Sequence, residues 1–162
     1  MKQLLLLRHA KSSHADTGMD DHDRPLNRRG EDEATLVGSF LAENDLGPQR
    51  TVSSTACRAQ RTSSLVLEAC GLEPPHLDRR LYLAAAMEIA EVAMETDEEI
   101  DRLLLVGHNP GMESLFSDLT GNYKEMKTAH LVVFQFDRIA WSDPQWQQNP
   151  EFVLQWTARG DG

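Results

Sequence analysis

Two arginines and two histidines lie directly after predicted strands or near the starts of predicted helices. Arg8 and His9 follow one apolar run, Arg58 lies in a helix-opening segment after a second, and His108 follows a third. In an open α/β sheet the ligand binds beyond the carboxyl ends of the strands, so these side chains are expected to meet in one crevice. Guanidinium groups, imidazoles and N–H groups at helix N-termini all bind anions. The pattern predicts a pocket for a phosphoryl group.

Each of these residues, taken alone, has an ordinary structural explanation. A single histidine at the end of a strand is more often a hydrogen-bonded structural residue, and a single arginine in the first turn of a helix is more often solvated. The helix dipole disfavours a cation at the position of Arg58, which favours an anion nearby. The prediction of a site therefore depends on the three segments taken together.

The elements that must position these side chains alternate between strand and helix patterns. Short apolar runs predict strands at Gln3–Leu7, Arg50–Ser53, Arg102–Val106, Leu131–Phe136 and Phe152–Trp156. Helical spacing of apolar residues predicts helices from Leu26 to the Asn44–Pro48 stop, from a cap at Ser53–Thr55 to Gly71, between Ala84 and Thr96, and from Asn109-Pro110 to Gly121. In the first helix, Leu36 and Phe40 are expected to widen the buried face.

This order of elements predicts an α/β protein, a three-layer α/β/α sandwich with a mostly parallel central sheet. The last two strands have no helix pattern between them, which predicts an antiparallel strand at one edge. With 162 residues, 18.2 kDa and no repeat or linker, residues 1–162 are predicted to form a single domain.

Composition excludes several classes of function. Sixteen Lys and Arg against 26 Asp and Glu leave a net charge of −10, which argues against a nucleic-acid binder and against docking on anionic lipid. The longest apolar runs fall far short of the ~20 residues that span a bilayer. Two cysteines fit no disulfide framework, and the leucines before Arg8 are too few for an export signal, so a cytoplasmic protein is expected.

Several segments resemble, in order, the motifs of the histidine phosphatase superfamily. The segment LRHAKSS at residues 7–13 resembles the opening motif, and its Ala-Lys-Ser ending is similar to that of SixA-type phosphohistidine phosphatases. Later blocks of that subfamily resemble DRPLNRRG at 23–30, STACRAQRT at 54–62, Leu81-Tyr82, VGHNPG at 106–111 and Thr128-Ala129. The resemblance runs from Leu4 to about Ala129, and the ordered set is far more specific than any one block.

The resemblance implies a phosphoglycerate-mutase-like fold and a role for each matching residue. His9 would be the nucleophile that takes the phosphoryl group before water removes it. The groups that hold the phosphoryl oxygens would be Arg8, Arg58 and His108. Further contacts at the rim or behind these groups would be Lys11, Ser12, Arg24 and Asn109. No cofactor or metal is implied, because positioning and fixed positive charge suffice for this chemistry.

One departure from the family concerns the general acid. Many members carry a carboxylate shortly after the second motif, and close relatives often read Leu-Tyr-Glu, whereas this chain has Leu83 after Tyr82. Glu88 is the nearest acid downstream, and its helical setting favours a solvated surface residue. The chain is therefore expected to act on phosphohistidine of a signalling or phosphotransfer protein. A small-molecule phosphomonoesterase and a non-catalytic phospho-ligand binding module remain the alternatives.

Other phosphatase chemistries do not fit the spacing. A Cys-x5-Arg loop is excluded because Ser63 and His76 stand at that distance from the two cysteines. The Asp-x-Asp at Asp21–Asp23 follows a polar loop instead of a strand, which argues against an aspartyl nucleophile. The acidic loop around it matches no metal-binding spacing and is interpreted as solvated, so metal-independent activity is expected.

Overall fold

The chain folds into six strands and four α-helices in the computed structural model, which describes residues 1–159. The strands are β1 (Lys2–Arg8), β2 (Arg50–Ser53), β3 (His76–Leu77), β4 (Arg102–Gly107), β5 (Leu131–Phe136) and β6 (Glu151–Trp156). The helices are α1 (Arg28–Glu43), α2 (Cys57–Cys70), α3 (Ala86–Met94) and α4 (Gly111–Thr120). The last three residues of the predicted domain, 160–162, lie outside the described residues.

The strands form one mixed sheet in the order β3-β2-β4-β1-β5-β6. The first four of these strands are parallel, whereas β5 is antiparallel to β1, and β6 is antiparallel to β5. The predicted α/β class, its mostly parallel sheet and the antiparallel pairing at one edge are confirmed. Arg8 pairs with Gly107 and Ser53 with Val106, so three parallel strands end side by side.

Apolar side chains cover both faces of the sheet. Alternate leucines of β1 point to opposite faces, so that Leu4 and Leu6 pack with α3 and α4, and Leu5 and Leu7 pack with α1 and α2. All four are fully buried, and each such side chain contributes about 1.5–3 kcal/mol. The buried layers hold the ends of β1, β4 and β2 in fixed register.

Two glycines let the backbone approach closely next to the ends of these strands. A Cβ at Gly30 would lie 2.0 Å from the carbonyl oxygen of Lys11, and one at Gly111 would lie 2.1 Å from that of Ala84. Helix α1 therefore packs directly on the loop after β1, and α4 packs on the segment before α3.

The structure differs from the sequence prediction in several local details. Leu36 is 48% exposed, so the buried face of α1 is narrower than predicted, while Phe40 is half-buried and stacks on Trp156. Helix α4 begins at Gly111 and not at Pro110. Asn109 is not its N-cap, although its Oδ1 accepts from the backbone N–H of Glu113 at 3.2 Å.

The start of α2 and the edge strand β3 also differ from the sequence prediction. The N-cap of α2 is Ala56 and has no side-chain cap, so the predicted cap at Ser53–Thr55 is wrong. Ser54 Oγ instead accepts from the backbone N–H of Ala56 at 3.2 Å. The two-residue strand β3 is an addition to the predicted elements. Within residues 1–159, no helix is long and apolar enough to cross a membrane.

Candidate active site

The aligned ends of β1, β4 and β2 bring the predicted residues to one edge of the sheet. The backbone N–H of His9 donates to the carbonyl of Gly107 at 3.0 Å, and that of Ser54 donates to the carbonyl of Val106 at 2.9 Å. As a result, the ring centroids of His9 and His108 are 5.0 Å apart. Both histidines are buried, with exposed fractions of 6% and 5%.

The hydrogen bond of His9 fixes which ring nitrogen carries the proton. Its Nδ1 lies 2.8 Å from the carbonyl oxygen of Ala10, which can only accept, so Nδ1 donates and Nε2 keeps a lone pair. Burial, together with the nearby His108, Arg58 and Arg8, lowers the pKa of His9 to about 3 and outweighs the hydrogen bond to Ala10, which raises it. His9 is therefore neutral at neutral pH, with a nucleophilic Nε2.

The second histidine is held in the opposite tautomer. His108 Nε2 lies 2.7 Å from Ser54 Oγ, which already accepts from the backbone N–H of Ala56. Ser54 is fully buried and its hydroxyl proton has no other acceptor within residues 1–159, so that proton is assigned to the bond with Nε2. This leaves the proton of neutral His108 on Nδ1. Burial and the charge of Arg58 together lower the pKa of His108 to about 4, against the smaller opposing effect of Asp21. Nδ1 of His108 is thus a neutral hydrogen-bond donor.

Arg58 is held through its two terminal nitrogens. Its Nη1 donates to the backbone carbonyl of Asp21 at 2.6 Å, and its Nη2 donates to Asp21 Oδ2 at 2.9 Å. The residue is only 4% exposed although it lies in the first turn of α2. The contact with Asp21 explains how a cation is accommodated where the helix dipole disfavours it.

Arg8 is held by a backbone carbonyl. Its Nη1 donates to the carbonyl oxygen of Met126 at 3.2 Å, and Asn109 Nδ2 donates to the same oxygen at 2.8 Å. Burial lowers the pKa of Arg8, while the carboxylate of Glu113 opposes this shift. Glu113 Oε2 accepts from the backbone N–H of Met126 at 2.9 Å, so it fixes the peptide that holds Arg8.

Three buried side-chain nitrogens have no hydrogen-bond partner within residues 1–159, and all three belong to this cluster. They are Arg8 Nε, Arg58 Nε and His108 Nδ1. Leaving a buried polar group unpaired costs about 1–3 kcal/mol, so such groups call for an explanation, and a ligand is one. Two guanidinium groups and a neutral imidazole N–H together fit the oxygens of a tetrahedral anion.

The four residues predicted at the rim occupy different positions. Arg24 Nη1 donates to the buried Ser12 Oγ, and Arg24 Nη2 donates to Asp21 Oδ1 at 3.0 Å. Asn109 contacts Met126 and Glu113 and so supports the Arg8 side. The backbone carbonyl of Lys11 accepts from Asn27 at 3.0 Å. The Lys11 ammonium forms no hydrogen bond or ion pair within the described part of the chain.

Asp21 is a site residue that sequence reasoning missed. Its Oδ2 accepts from Arg58 and from the hydroxyl of Tyr82 at 2.8 Å, and the Tyr82 ring meets His108 edge-on with centroids 5.5 Å apart. Partial burial raises the pKa of Asp21, but hydrogen bonds from Tyr82, Arg24 and Arg58 outweigh it and hold the pKa well below its usual range. The sequence signal was the acidic loop around Asp21–Asp23, which was interpreted as a nucleophile motif, a metal site or a source of a general acid, and not as a partner of Arg58.

Thr62 is a second residue that ties the site together. Its Oγ1 accepts from the backbone N–H of Ala10 at 3.0 Å and donates to the carbonyl of Arg58 at 2.7 Å. The side chain is fully buried. It therefore fixes the loop that carries His9 against the helix that carries Arg58.

Glu88 does not replace the general-acid carboxylate that related proteins carry at the position of Leu83. Glu88 Oε1 accepts from the backbone N–H of Ala85 at 3.0 Å, and so it caps the N-terminus of α3. Leu83 has a positive φ of 57° and is 73% exposed. Across residues 1–159, no group of three or more His, Cys, Asp or Glu side chains is arranged to hold a metal ion.

The fold and this anion site together define an α/β enzyme of the phosphoglycerate-mutase-like class. The sequence model described as histidine phosphatase superfamily (branch 1) matches residues 4–82, which include Arg8, His9 and Arg58. An uncharacterized chloroplastic protein of Arabidopsis thaliana is 32% identical over 152 residues, which cover 88% of this chain and 70% of that protein.

Several solved structures match nearly the whole chain, and two of them show the similarity. One, from Agrobacterium tumefaciens and assigned to the phosphohistidine phosphatase SixA, has a TM-score of 0.83, 25% identity and coverage of 96% of this chain and 97% of that chain. The other, a protein histidine phosphatase SixA with tungstate, shares the fold with a TM-score of 0.81, 20% identity and 96% coverage of both chains. The chain belongs to the histidine phosphatase superfamily and is of the SixA type. It is a phosphatase, a hydrolase that acts on a phosphorylated substrate.

Proposed function

We propose that this protein is a cytoplasmic phosphohistidine phosphatase in signal transduction, with residues 1–162 as one domain. Its substrate is a phosphohistidine carried by a signalling or phosphotransfer protein, and its nucleophile is His9. The observation that carries this proposal is the set of three unpaired buried nitrogens, on Arg8, Arg58 and His108, beside a neutral His9. Fixed donors of this kind stabilise charge that develops on a transferring phosphoryl group.

In the first step, the lone pair of His9 Nε2 attacks phosphorus and the bond from phosphorus to the substrate nitrogen breaks. The proton on His9 Nδ1 stays in its hydrogen bond to the Ala10 carbonyl, so the phosphorylated ring carries a positive charge. Arg8 and Arg58 donate from Nε, and His108 donates from Nδ1, to the phosphoryl oxygens. The substrate imidazole leaves neutral when its other ring nitrogen carries a proton.

In the second step, water attacks phosphorus and the bond to His9 Nε2 breaks. The electron pair of that bond returns to Nε2, which restores the neutral imidazole with its proton on Nδ1. The proton lost by water passes to solvent, and inorganic phosphate leaves the pocket. No metal ion takes part, because the two guanidinium groups offset the phosphoryl charge.

The substrate class follows from the leaving group. Glu88 caps α3, and the ion pairs of Asp21 hold that carboxyl ionised, so neither is suited to donate a proton at neutral pH. An alkyl ester would have to leave as an alkoxide, and a positioned acid is typically worth ~10²–10⁴-fold in rate. The conjugate acid of an imidazole has a pKa near ~6.5, so phosphohistidine needs no such acid.

The nucleophile is tested by trapping the phosphoenzyme. Quenched wild-type protein should carry an acid-labile, alkali-stable phosphate, and His9→Ala should lose both this label and the activity. His108→Ala should lose ~10²–10³-fold in rate, as expected for removal of one charge-stabilising donor. The exposed His14→Ala serves as the matched control and should keep both. Full activity in His9→Ala, or an alkali-labile label, would end the proposal.

The substrate class is tested with a series of esters of increasing leaving-group pKa. A steep decline in rate from phosphohistidine through phenolic to alkyl phosphates is expected, and Leu83→Glu should raise alkyl-ester turnover more than phosphohistidine turnover. A flat series with brisk sugar-phosphate turnover would instead identify a small-molecule phosphomonoesterase. Phosphopeptide binding with no turnover of any substrate would identify a binding module.

A further inference from the structure

We infer that Asp21 is a positioning residue that lowers the affinity of the pocket for phosphate, by holding Arg58 and offsetting its charge. The inference rests on the proposed function, because the anion concerned is the phosphoryl group and its product. It concerns a residue on the loop before α1, 37 positions away from Arg58 in the chain. The consequence is that inorganic phosphate leaves more readily than two uncompensated arginines would allow.

The geometry lets Arg58 bind Asp21 and a phosphoryl group at the same time. A guanidinium group offers five N–H donors in a planar fork. Asp21 takes one donor from each terminal nitrogen, through its backbone carbonyl and through Oδ2. The Nε–H remains buried and unpaired within residues 1–159. Asp21 therefore orients the guanidinium so that the Nε side is presented to the anion, and it does not have to be displaced.

The Asp21 carboxylate is held in place by hydrogen bonds from several residues of the site. Its Oδ1 accepts from Arg24 at 3.0 Å, and its Oδ2 accepts from Tyr82 at 2.8 Å as well as from Arg58. These donors keep the pKa of Asp21 below its usual range, against the effect of burial. Asp21 thus carries a full negative charge next to the pocket, although about half of its side chain is exposed.

The negative charge of Asp21 offsets the positive charge of Arg58 and repels the bound anion. Both buried histidines are neutral at neutral pH, so the positive charge that faces the phosphoryl group comes mainly from Arg8 and Arg58. Phosphate carries up to two negative charges at neutral pH, and Coulomb repulsion from a carboxylate one side chain away is only partly screened in such a site. Removing the carboxylate charge should strengthen phosphate binding by about tenfold.

The test measures binding of inorganic phosphate to the intact protein by titration calorimetry. Asp21→Asn keeps the backbone carbonyl and an amide oxygen for Arg58 but removes the charge, and it should lower the Kd of phosphate about tenfold. Asp21→Ala should act in the same direction, and Asp21→Glu should stay near the wild-type value. In turnover, the inhibition constant of phosphate should fall by the same factor. The matched control is Asp23→Asn, which removes an equal charge from the same loop and should change Kd less than twofold.

Weaker or unchanged phosphate binding in both folded Asp21→Asn and Asp21→Ala would overturn the inference, because a merely structural carboxylate weakens the site when it is removed. An equal gain in Asp23→Asn would also overturn it, since the effect would then reflect net charge alone. These results differ from failure of the proposed function, which is scored by the His9→Ala label and needs no measurement on Asp21.

Discussion

The two arginines of the site are held in similar positions by different kinds of acceptor. Arg58 is buried and Arg8 is partly buried, and each donates from at least one terminal nitrogen to a group outside the pocket. Each leaves a buried Nε without a partner in residues 1–159. Arg58 donates to the carboxylate and carbonyl of Asp21, whereas Arg8 donates to the neutral carbonyl of Met126. The same orientation is therefore obtained with a carboxylate in direct contact on one side, which is shared with Arg24, and with a more distant carboxylate on the other.

The difference lies in where the nearest carboxylate stands. On the Arg58 side, Asp21 contacts the guanidinium directly. On the Arg8 side, Glu113 contacts the N–H of Met126 and the amide of Asn109. It makes no ion pair with Arg8 within residues 1–159 and acts on that guanidinium from a distance. A carboxylate in contact with an arginine offsets its charge as well as orienting it, while a carboxylate one peptide away mainly orients it. We therefore expect both arginines to supply phosphate affinity, Asp21 to reduce the part that Arg58 supplies, and Glu113 to keep Arg8 in place.

The largest expected effect comes from removing the arginines themselves. Arg8→Ala and Arg58→Ala should each lower kcat/KM for p-nitrophenyl phosphate by ~10²–10³-fold, since each removes a donor to the phosphoryl oxygens. The loss should be greater for Arg58→Ala, because Asp21 then faces the incoming dianion without its partner.

A second substitution separates the two sides. Adding Asp21→Asn to Arg58→Ala should restore part of the lost rate, whereas adding Glu113→Gln to Arg8→Ala should restore none. Steady-state kinetics of the four variants measure this coupling. If both arginine variants lose the same rate and neither second substitution restores any of it, Asp21 and Glu113 do not act in different ways.

The two histidines between the arginines predict a pH dependence of stability. Burial holds the pKa of His9 at about 3 and that of His108 at about 4, while an unfolded chain protonates histidine near 6.5. Between these values the unfolded state binds more protons, so stability falls as the pH drops from 7 to 5, by about 2 kcal/mol for each histidine. His9→Asn and His108→Asn should each reduce that fall by about 2 kcal/mol in urea unfolding. The exposed His14→Asn should leave it as large as in the wild type.

Much of the fold and of the site was predictable because it follows from local patterns. Continuous apolar runs and helical periodicity predicted five of the six strands and all four α-helices, and their alternation predicted the parallel sheet. Parallel strands that end together then bring Arg8, His9, Arg58 and His108 to one edge, which the structure confirms as their location. The two-residue strand β3 is too short for any periodicity to reveal it.

The acceptors of the two arginines could not be predicted, for a physical reason. Met126 is 118 positions from Arg8, and it acts through a backbone carbonyl that every residue possesses. Asp21 lies in an acidic loop whose composition is typical of solvated segments, and only the tertiary fold brings it to Arg58. The exposure of Leu36 could not be predicted for a similar reason, because helical spacing does not show how much of a helix face the neighbouring elements cover.

A smaller effect is expected from Glu113, and its sign is opposite to that of Asp21. In Glu113→Gln the charged oxygen Oε2, which accepts from both the Met126 N–H and Asn109 Nδ2, becomes a neutral amide oxygen. Hydrogen bonds to a neutral acceptor are weaker, so the peptide that holds Arg8 loosens. KM and the Kd of phosphate should rise about tenfold while kcat changes less. Asp118→Asn, on the exposed face of the same helix, should leave both constants near the wild-type values. Tighter phosphate binding in Glu113→Gln would show that this carboxylate also acts by its charge.

The smallest expected effect is that of a metal chelator, which should leave activity unchanged. Both carboxylates near the arginines already accept hydrogen bonds, Asp21 from Arg58, Arg24 and Tyr82, and Glu113 from Met126 and Asn109. A cation at either carboxylate would have to displace these donors and would stand beside a guanidinium, which repels it. Rates should therefore be equal with and without EDTA, and adding Mg²⁺ or Mn²⁺ should not raise them. Strict metal dependence would mean that Asp21 leaves Arg58 to bind the ion, and phosphate affinity would then rise with metal concentration instead of with loss of the Asp21 charge.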